Sequence, residues 1–552
     1  MRRSLPTVGL VVAFLAAGAL LAWPLRHGGA FLDDFLFLAL GRHEDDLLAL
    51  VTRDAVGGYF FRPLPLAGWW ASVRLLGTGA PAQLCVSVAL HVLNGGILYA
   101  FLRRLRAGPG PAALASLVFV CHPTAFAATA WLSDRFDLFS TGFGLGALVA
   151  TESFLVAPRP RTLVAAAAAL LASLLSKEIG YVFAAAGALM AAWVVRDRHA
   201  ASPRDRLAIL GTIAATSGLA LGARAIAVRD VAKPLFAAHG WLATALEGTA
   251  RWVEPLPRFL VVTHGGRLAI VAWCLLLLLL LVGALRGRRA PGREGLRMAG
   301  VGIAIMAVAA VAQSPVLGSM VFRPFGDAPF AFESLAASRL YYVPLAGFAM
   351  VVAGLAQHAA AGARSRRGDL AFALACVAAV AGLLATSRAI GREWAAYTQA
   401  RVAPVLEAAV AALAPRTAVQ PGCKVYLLSM PEEPGLALVI DVAVKQALPR
   451  GHPLMGCFIE GERAPWYNLV RSRGLPPAAE RPLVPLVFEG RPFPPLRVGN
   501  LTYYYLRLPD ASRATGDPNA TFLAYRDGAF ADVTADVRAG RRTVRFADEL
   551  GR

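Results

Sequence analysis

The chain has 552 residues, 57% hydrophobic and 16% charged, with a formal net charge of +20. A mean hydropathy of +0.55 excludes an ordinary soluble domain and points to a chain that crosses a lipid bilayer many times. The basic excess does not indicate nucleic acid, because the arginines cluster in short stretches between apolar runs, as in cytoplasmic loops. Abundant Ala, Gly, Arg and Pro with scarce Lys suit a GC-rich bacterial gene.

Met1-Arg2-Arg3 precedes an apolar run from Leu5 to Leu25. The run is long enough to span, and Trp23-Pro24-Leu25 is a poor small-residue cleavage site. It is therefore read as an uncleaved first helix. Further apolar runs centre on 82–102, 110–126, 136–156, 162–177, 178–195, 206–224, 267–285, 296–317, 340–358 and 369–387. The expectation is a polytopic α-helical membrane protein of about eleven spans. Arginine clusters at 2–3, 103–106, 159–161, 196–206, 286–297 and 364–367 occupy every second loop. The positive-inside rule makes these loops cytoplasmic. In a bacterial inner membrane the N-terminus is then cytoplasmic, and everything after about Arg388 is periplasmic or extracellular.

The first outer loop, 26–80, carries Asp33-Asp34 directly after the first span. Carboxylates at the edge of a bilayer core are costly to desolvate, so an adjacent pair there is a candidate base, a cation ligand, or only a solvated loop end. The same loop holds two short amphipathic segments, Glu44 to Val51 and Leu64 to Leu76. The second contains Trp69 and Trp70, and both segments suit helices lying in the interface.

The membrane part is expected to cover 1–390 and a small α+β domain outside the membrane to cover 391–552. Cys423–Leu428, Pro485–Phe488, Leu501–Leu506 and Thr521–Tyr525 read as strands between Pro/Gly turns, and 393–413 and 434–448 read as helices. Cys423 and Cys457 both fall there, so a disulfide and two separate thiols are both open. Asn500-Leu501-Thr502 and Asn519-Ala520-Thr521 match a glycosylation sequon, read as coincidence in a bacterial chain.

The polar motifs gather in the outer loops: Phe31-Leu32-Asp33-Asp34, Phe61-Arg62-Pro63-Leu64, His122-Pro123, Trp131-Leu132-Ser133-Asp134-Arg135-Phe136-Asp137-Leu138, Ser176-Lys177-Glu178 and Ser338-Arg339-Leu340-Tyr341-Tyr342. His91-Val92-Leu93-Asn94 lies within a span. In order and placement these motifs resemble the GT-C superfamily of polytopic glycosyltransferases. The likeness over about residues 5–390 is to the membrane part of the tetratricopeptide-bearing O-mannosyltransferases and their bacterial relatives. Protein O-mannosyltransferases and aminoarabinose transferases are similar at greater distance.

The resemblance implies a sugar donor carried on a polyprenyl phosphate. The sugar would pass, with inversion, to a hydroxyl acceptor on the outer face: a protein, a lipid or an envelope glycan. The family's acidic first-loop motif matches Asp33-Asp34, so Asp33 is the expected base and Asp34 its partner, with the reverse order open. Independently, glycosyl transfer needs a base for the hydroxyl and cations for the leaving phosphate. Arg62, Arg135, Lys177 and Arg339 are the candidate phosphate partners. His122, Asp134, Asp137, Glu178 and Tyr341 complete the expected substrate-binding set. The motifs identify no cofactor. A divalent cation is open, although Asp33-Asp34 alone do not complete a shell of oxygen ligands.

Each of these residues has a plainer reading. Arg62, His122, Arg339 and Tyr341 suit interface anchors. Arg135 with Asp134 or Asp137, and Lys177 with Glu178, suit local ion pairs. His91 and Asn94 suit helix packing. The tail carries no 34-residue repeat. Arg323-Pro324-Phe325-Gly326-Asp327 and Phe332-Glu333 do not align with the family pattern. Two other classes compete with an enzyme: a transporter or flippase of envelope precursors, and a non-catalytic envelope-assembly protein. The concentration of polar residues at one face, and the almost wholly apolar run 267–285, weigh against a transport path.

Overall fold

The computed structural model describes residues 5–52, 61–194, 201–227, 293–319, 339–362, 366–420, 423–431, 439–461, 501–507 and 515–542. It also describes short stretches within 271–282, 467–471 and 484–498, and residues 436 and 544. The chain is a polytopic α-helical membrane protein with a small sheet-containing tail. Among the described residues seven helices are long and apolar enough to cross a membrane, or eight if one bent pair counts as a span. The bent pair is Pro109–Cys121 with Pro123–Ala130, at 50°. The break falls at His122-Pro123, where the proline can donate no helix hydrogen bond.

Two of the apolar runs expected as spans form shorter helices. The runs at 162–177 and 178–195 form helices Pro160–Leu174 and Glu178–Ala192, which fall in the shorter, 10–17-residue class. At about 1.5 Å per residue each falls short of a roughly 30 Å hydrocarbon layer. The run at 267–285 lies largely outside the described residues, as do Arg323–Asp327 and Phe332-Glu333.

The helices used below are α1 (Leu5–Leu25), α2 (Asp34–His43), α3 (Leu47–Thr52), α4 (Pro63–Leu76), α5 (Ala80–Arg104), α6 (Pro109–Cys121), α7 (Phe126–Ala130), α8 (Arg135–Val156), α9 (Pro160–Leu174), α10 (Tyr181–Leu189), α11 (Pro203–Ala227), α12 (Arg293–Ser319), α13 (Tyr342–Gly362), α14 (Arg366–Tyr397), α15 (Ala403–Leu413) and α16 (Ile440–Ala447). The chain divides into two compact units. The first comprises Met1–Arg26, Leu84–Ala223 and Lys233–Trp394, and the second His27–Gln83, Arg224–Ala232 and Ala395–Arg552.

The first unit is the helical body, with a continuous apolar core that includes Phe101, Phe119, Leu145, Phe183, Tyr342 and Met350. Helix association inside a bilayer relies on close van der Waals approach and on interhelical hydrogen bonds. Both occur here. A Cβ at Gly302 would strike the Gly347 backbone, and one at Gly295 the Gly354 backbone, so α12 and α13 touch along two glycines spaced seven apart on each helix. Ser140 and Ser173 exchange hydroxyl-to-carbonyl bonds of 3.1 and 2.7 Å between α8 and α9.

His91 and Asn94 act as packing residues. His91 Nε2 donates to the Val120 carbonyl at 3.0 Å, which leaves Nδ1 to accept from the Tyr342 hydroxyl at 2.8 Å. Asn94 Nδ2 donates to the Leu138 carbonyl at 2.9 Å and to the Tyr342 hydroxyl at 3.1 Å. Four segments are thereby joined through one buried polar cluster, whose groups would each be costly if left unbonded.

The second unit combines the first outer loop with the tail. α14 runs unbroken through residue 390, turns as a π-helix at Thr398–Val402 and continues as α15. Strand β1 (Lys424–Leu428) pairs in parallel with β2 (Phe458–Gly461) on one side and with β9 (Ala520–Arg526) on the other, and β9 pairs antiparallel with β10 (Ala529–Asp532). Every residue of β1 is buried, as for a central strand covered on both faces. α16 makes the crossover from β1 to β2 that parallel pairing requires. The register Lys424↔Phe458 sets Cys423 beside Cys457, and the two form a disulfide with a Cα–Cα distance of 4.7 Å.

The first outer loop differs from its sequence reading at its start. Asp33-Asp34 do not end a span; they open α2, whose Phe35, Phe37, Leu38 and Leu40 are buried. The segment read as Glu44 to Val51 is reduced to the six residues of α3, and the second amphipathic segment forms as α4 from Pro63. Phe37 stacks on Trp69 at 5.7 Å, and a Cβ at Gly41 would collide with Val73, so α2 lies tightly on α4.

Candidate active site

The acid segment belongs to the second unit. Acidic residues favour the positive end of a helix and basic residues its negative end, and α2 follows the rule with Asp34 in its first turn and Arg42 and His43 in its last. Leu32, just before the pair, has φ of +51°, a left-handed conformation that a γ-branched side chain adopts only when its surroundings impose it. Asp34 is fully buried, and its Oδ2 accepts the Phe31 backbone N–H at 2.9 Å. The carboxylate therefore closes the turn that contains Leu32. Asp33 is the N-cap residue, half-buried, and makes no side-chain cap bond. Arg62, in the same unit, is buried directly before Pro63, which occupies the first helical position of α4.

The remaining candidates belong to the first unit. Between α7 and α8 the chain turns through a short 3₁₀ segment, Leu132–Asp134, and its polar side chains are buried. Asp134 Oδ1 accepts from Arg339 Nη1 at 3.4 Å, and the Arg339 guanidinium lies over the Trp131 ring at 4.9 Å. A cation above an indole face is attracted by the ring quadrupole. Asp137, in the first turn of α8, pairs with Lys177. Lys177 sits in extended backbone between α9 and the 3₁₀ turn Glu178–Gly180. Arg135 is buried, and its Nε donates to Ser87 Oγ at 2.9 Å.

One plainer reading of the sequence is thus revised. Lys177 reaches Asp137 in α8 rather than closing on its neighbour Glu178, and Asp134 and Asp137 each take a distant cation. Glu178 opens the 3₁₀ turn. His122 lies at the bend of the broken helix, where its Nδ1 accepts the Thr124 N–H at 3.2 Å. That bond makes it a local cap. Tyr341 is buried next to the start of α13. No group of three or more His, Cys, Asp or Glu able to hold a metal ion occurs among the described residues.

Several contributors escaped sequence reading. Ser87 has no local motif to announce it. The strain at Leu32 leaves no trace in composition. Arg42 and His43 could have been found from their place at the end of a ten-residue amphipathic stretch opened by acids.

The fold is that of a multi-helix membrane protein, with the acids Asp33 and Asp34 on one compact unit and the hydrogen-bonded cations Arg135, Lys177 and Arg339 on the other. No family model matches the sequence, and no curated protein does. Solved structures similar to this chain include ArnT from Cupriavidus metallidurans bound to undecaprenyl phosphate, with 14% identity and a TM-score of 0.42, over 80% of this chain and 85% of that one. The Archaeoglobus fulgidus oligosaccharyltransferase tethered to an acceptor peptide with an NVT sequon gives 14% identity and a TM-score of 0.46, over 82% of this chain and 64% of that one.

Proposed function

We propose that this chain is an integral-membrane glycosyltransferase. In this reading it moves a sugar from a polyprenyl-phosphate donor to an acceptor hydroxyl outside the cytoplasmic membrane, with inversion. The observation that carries the reading is the acid turn: Leu32 in a strained conformation, Asp34 buried and bonded to Phe31 N–H, Asp33 beside it at the helix start. Strain held in place by surrounding structure is a mark of functional segments. Because Asp34 is committed to the turn, Asp33 is assigned as the base and Asp34 as the residue that orients it.

In the reaction the acceptor hydroxyl gives its proton to the Asp33 carboxylate, and its oxygen bonds to the anomeric carbon. The bond from that carbon to the lipid phosphate breaks, and the phosphate keeps the electron pair. Arg62, Arg135, Lys177 and Arg339 are the proposed cations for its added negative charge. Two of the three arginines, which can grip a phosphate in bidentate fashion, are already oriented: Arg135 by Ser87 and Arg339 by Trp131 with Asp134. The outer-face placement follows the arginine distribution, which makes 103–106 and 159–161 cytoplasmic.

The test is turnover of polyprenyl-phosphate-linked sugars by purified full-length protein against a panel of hydroxyl acceptors. Asp33→Asn is expected to lower kcat by about 10²–10⁴-fold, the usual contribution of a general base. Asp34→Asn is expected to lower it by less, since an amide oxygen can still accept from Phe31. Equal turnover by parent and both variants would sink the assignment. Substrate crossing the bilayer without sugar transfer would favour a flippase.

A further inference from the structure

The tail grips the acid segment at both ends. At the front, the Gly29 backbone N–H donates to Thr398 Oγ1 at 2.9 Å, and Phe31 meets Tyr397 edge-on at 6.3 Å. At the back, two side chains of α2 reach the C-terminal end of α16. Arg42 Nη1 donates to the Gln446 carbonyl at 3.0 Å, and His43 Nε2 donates to the Lys445 carbonyl at 3.2 Å. Carbonyls at a helix's C-terminal end carry its partial negative charge, so an arginine and an imidazole N–H suit them; the Lys445 carbonyl also accepts the Leu448 N–H at 3.2 Å.

The anchor is itself fixed. Lys445 Nζ donates to Asp441 Oδ2 at 2.9 Å and to the Cys457 carbonyl at 2.7 Å, and Asp441 Oδ1 accepts the Ile459 N–H at 3.0 Å. Cys457 is covalently tied to Cys423 at the head of β1. An outer bond, from Arg450 Nη1 to Asp45 Oδ1 at 2.9 Å, joins the residues just beyond both helices.

We infer that Arg42 and His43 are positioning residues: they dock the acid-bearing helix onto the tail helix Ile440–Ala447, so that the tail sets where Asp33 and Asp34 stand. The inference rests on the catalytic reading of those two acids. Its physical basis is length. A ten-residue helix has no stability of its own in water, so its orientation must come from what it is docked to. The acids stand at the opposite end, about 15 Å from the anchor, so a small tilt at the anchor becomes a displacement of about an ångström at the carboxylates.

The test uses the full-length protein in lipid nanodiscs. Arg42→Met with His43→Phe removes both donors, whereas Arg42→Lys with His43→Gln keeps a donor at each place. Hydrogen exchange of residues 34–43 is measured beside kcat and KM for a polyprenyl-phosphate-linked sugar. The donor-less pair is expected to exchange faster and to lose about 10–100-fold in kcat, the scale of a misplaced reacting group, with KM for the lipid donor unchanged. The donor-keeping pair should recover most of both. Unchanged exchange in the donor-less pair overturns the inference, and so does unchanged kcat alongside an inactive Asp33→Asn. If Asp33→Asn and Asp34→Asn both turn over like the parent, the catalytic reading falls instead. Faster exchange would then still support the docking, and unchanged exchange would refute it.

Discussion

Lys177 with Asp137 and Lys445 with Asp441 are the same chemical pair in two settings. In the tail, both partners sit on one helix four residues apart, and their side chains are 1% and 4% exposed. The lysine also serves the Cys457 carbonyl and the aspartate the Ile459 N–H. Buried charges are tolerated when their hydrogen-bonding capacity is used in this way. In the helical body, the partners come from separate segments, the aspartate is 2% exposed and the lysine 15%. Among the described residues Lys177 has Asp137 as the partner of its ammonium group, which carries three N–H donors. The tail pair is saturated and holds a crossover helix to its strands. The body pair keeps donors in reserve beside a carboxylate that fixes them, as expected for a cation that receives a phosphate.

Removing the cation from each pair separates the two roles. Lys445→Met leaves the Asp441 carboxylate buried without its counter-charge and is expected to cost about 3–5 kcal/mol, read as a lower unfolding midpoint. Lys445→Met with Asp441→Leu should regain most of that loss, because an apolar pair of similar volume often replaces a buried ion pair at no net cost. A double variant as unstable as the single one would show that the pair does more than satisfy itself.

The corresponding variants in the helical body should part company with those in the tail. Lys177→Met is expected to lower kcat by about 10²–10³-fold, the cost of losing one preorganised electrostatic contact to a developing charge. Adding Asp137→Leu should restore the thermal midpoint but not turnover. Recovery of turnover in that double variant would mean that Lys177 only neutralises Asp137, and the contrast between the two pairs would collapse.

The apolar runs made most of the helical body legible, because a run of some 20 hydrophobic residues has few alternatives in a bilayer. Pro63 marked the start of α4, and the β-rich runs marked β1, β8 (Leu501–Arg507) and β9. The pairings were not legible. Asp137 and Lys177 are 40 residues apart, Asp134 and Arg339 are 205 apart, and Arg42 meets Gln446 across 404. No local pattern encodes such contacts, which arise only once helices choose their neighbours. The acids themselves could be picked out, but their place at the head of a helix could not. Reading them as part of a loop after the first span left unused the spacing of Phe35, Leu38 and the terminal Arg42-His43 that defines α2.

Titration offers the finest division within the second unit, because two of its perturbed groups, Asp441 within α16 and His43 at the α2–α16 contact, respond with opposite sign. Burial, opposed by Lys445, raises the Asp441 pKa to about 6. A carboxyl raised above its unfolded value contributes stability that is present at low pH and is lost as pH climbs through about 6. Burial chiefly lowers the His43 pKa, against the pull of its bond to the Lys445 carbonyl. A histidine lowered below its unfolded value contributes stability that is present above about pH 6.5 and is lost as pH falls through its folded value. Unfolding midpoints followed from pH 4 to 8 should therefore respond differently to two variants. Asp441→Asn should remove a decline with rising pH, with a slope of no more than about 1.4 kcal/mol per pH unit for a single proton. His43→Gln, which keeps a donor for Lys445, should remove a smaller rise that is complete by about pH 6.5. If the two variants change the pH profile in the same direction, the burial assigned to one of the two groups is wrong.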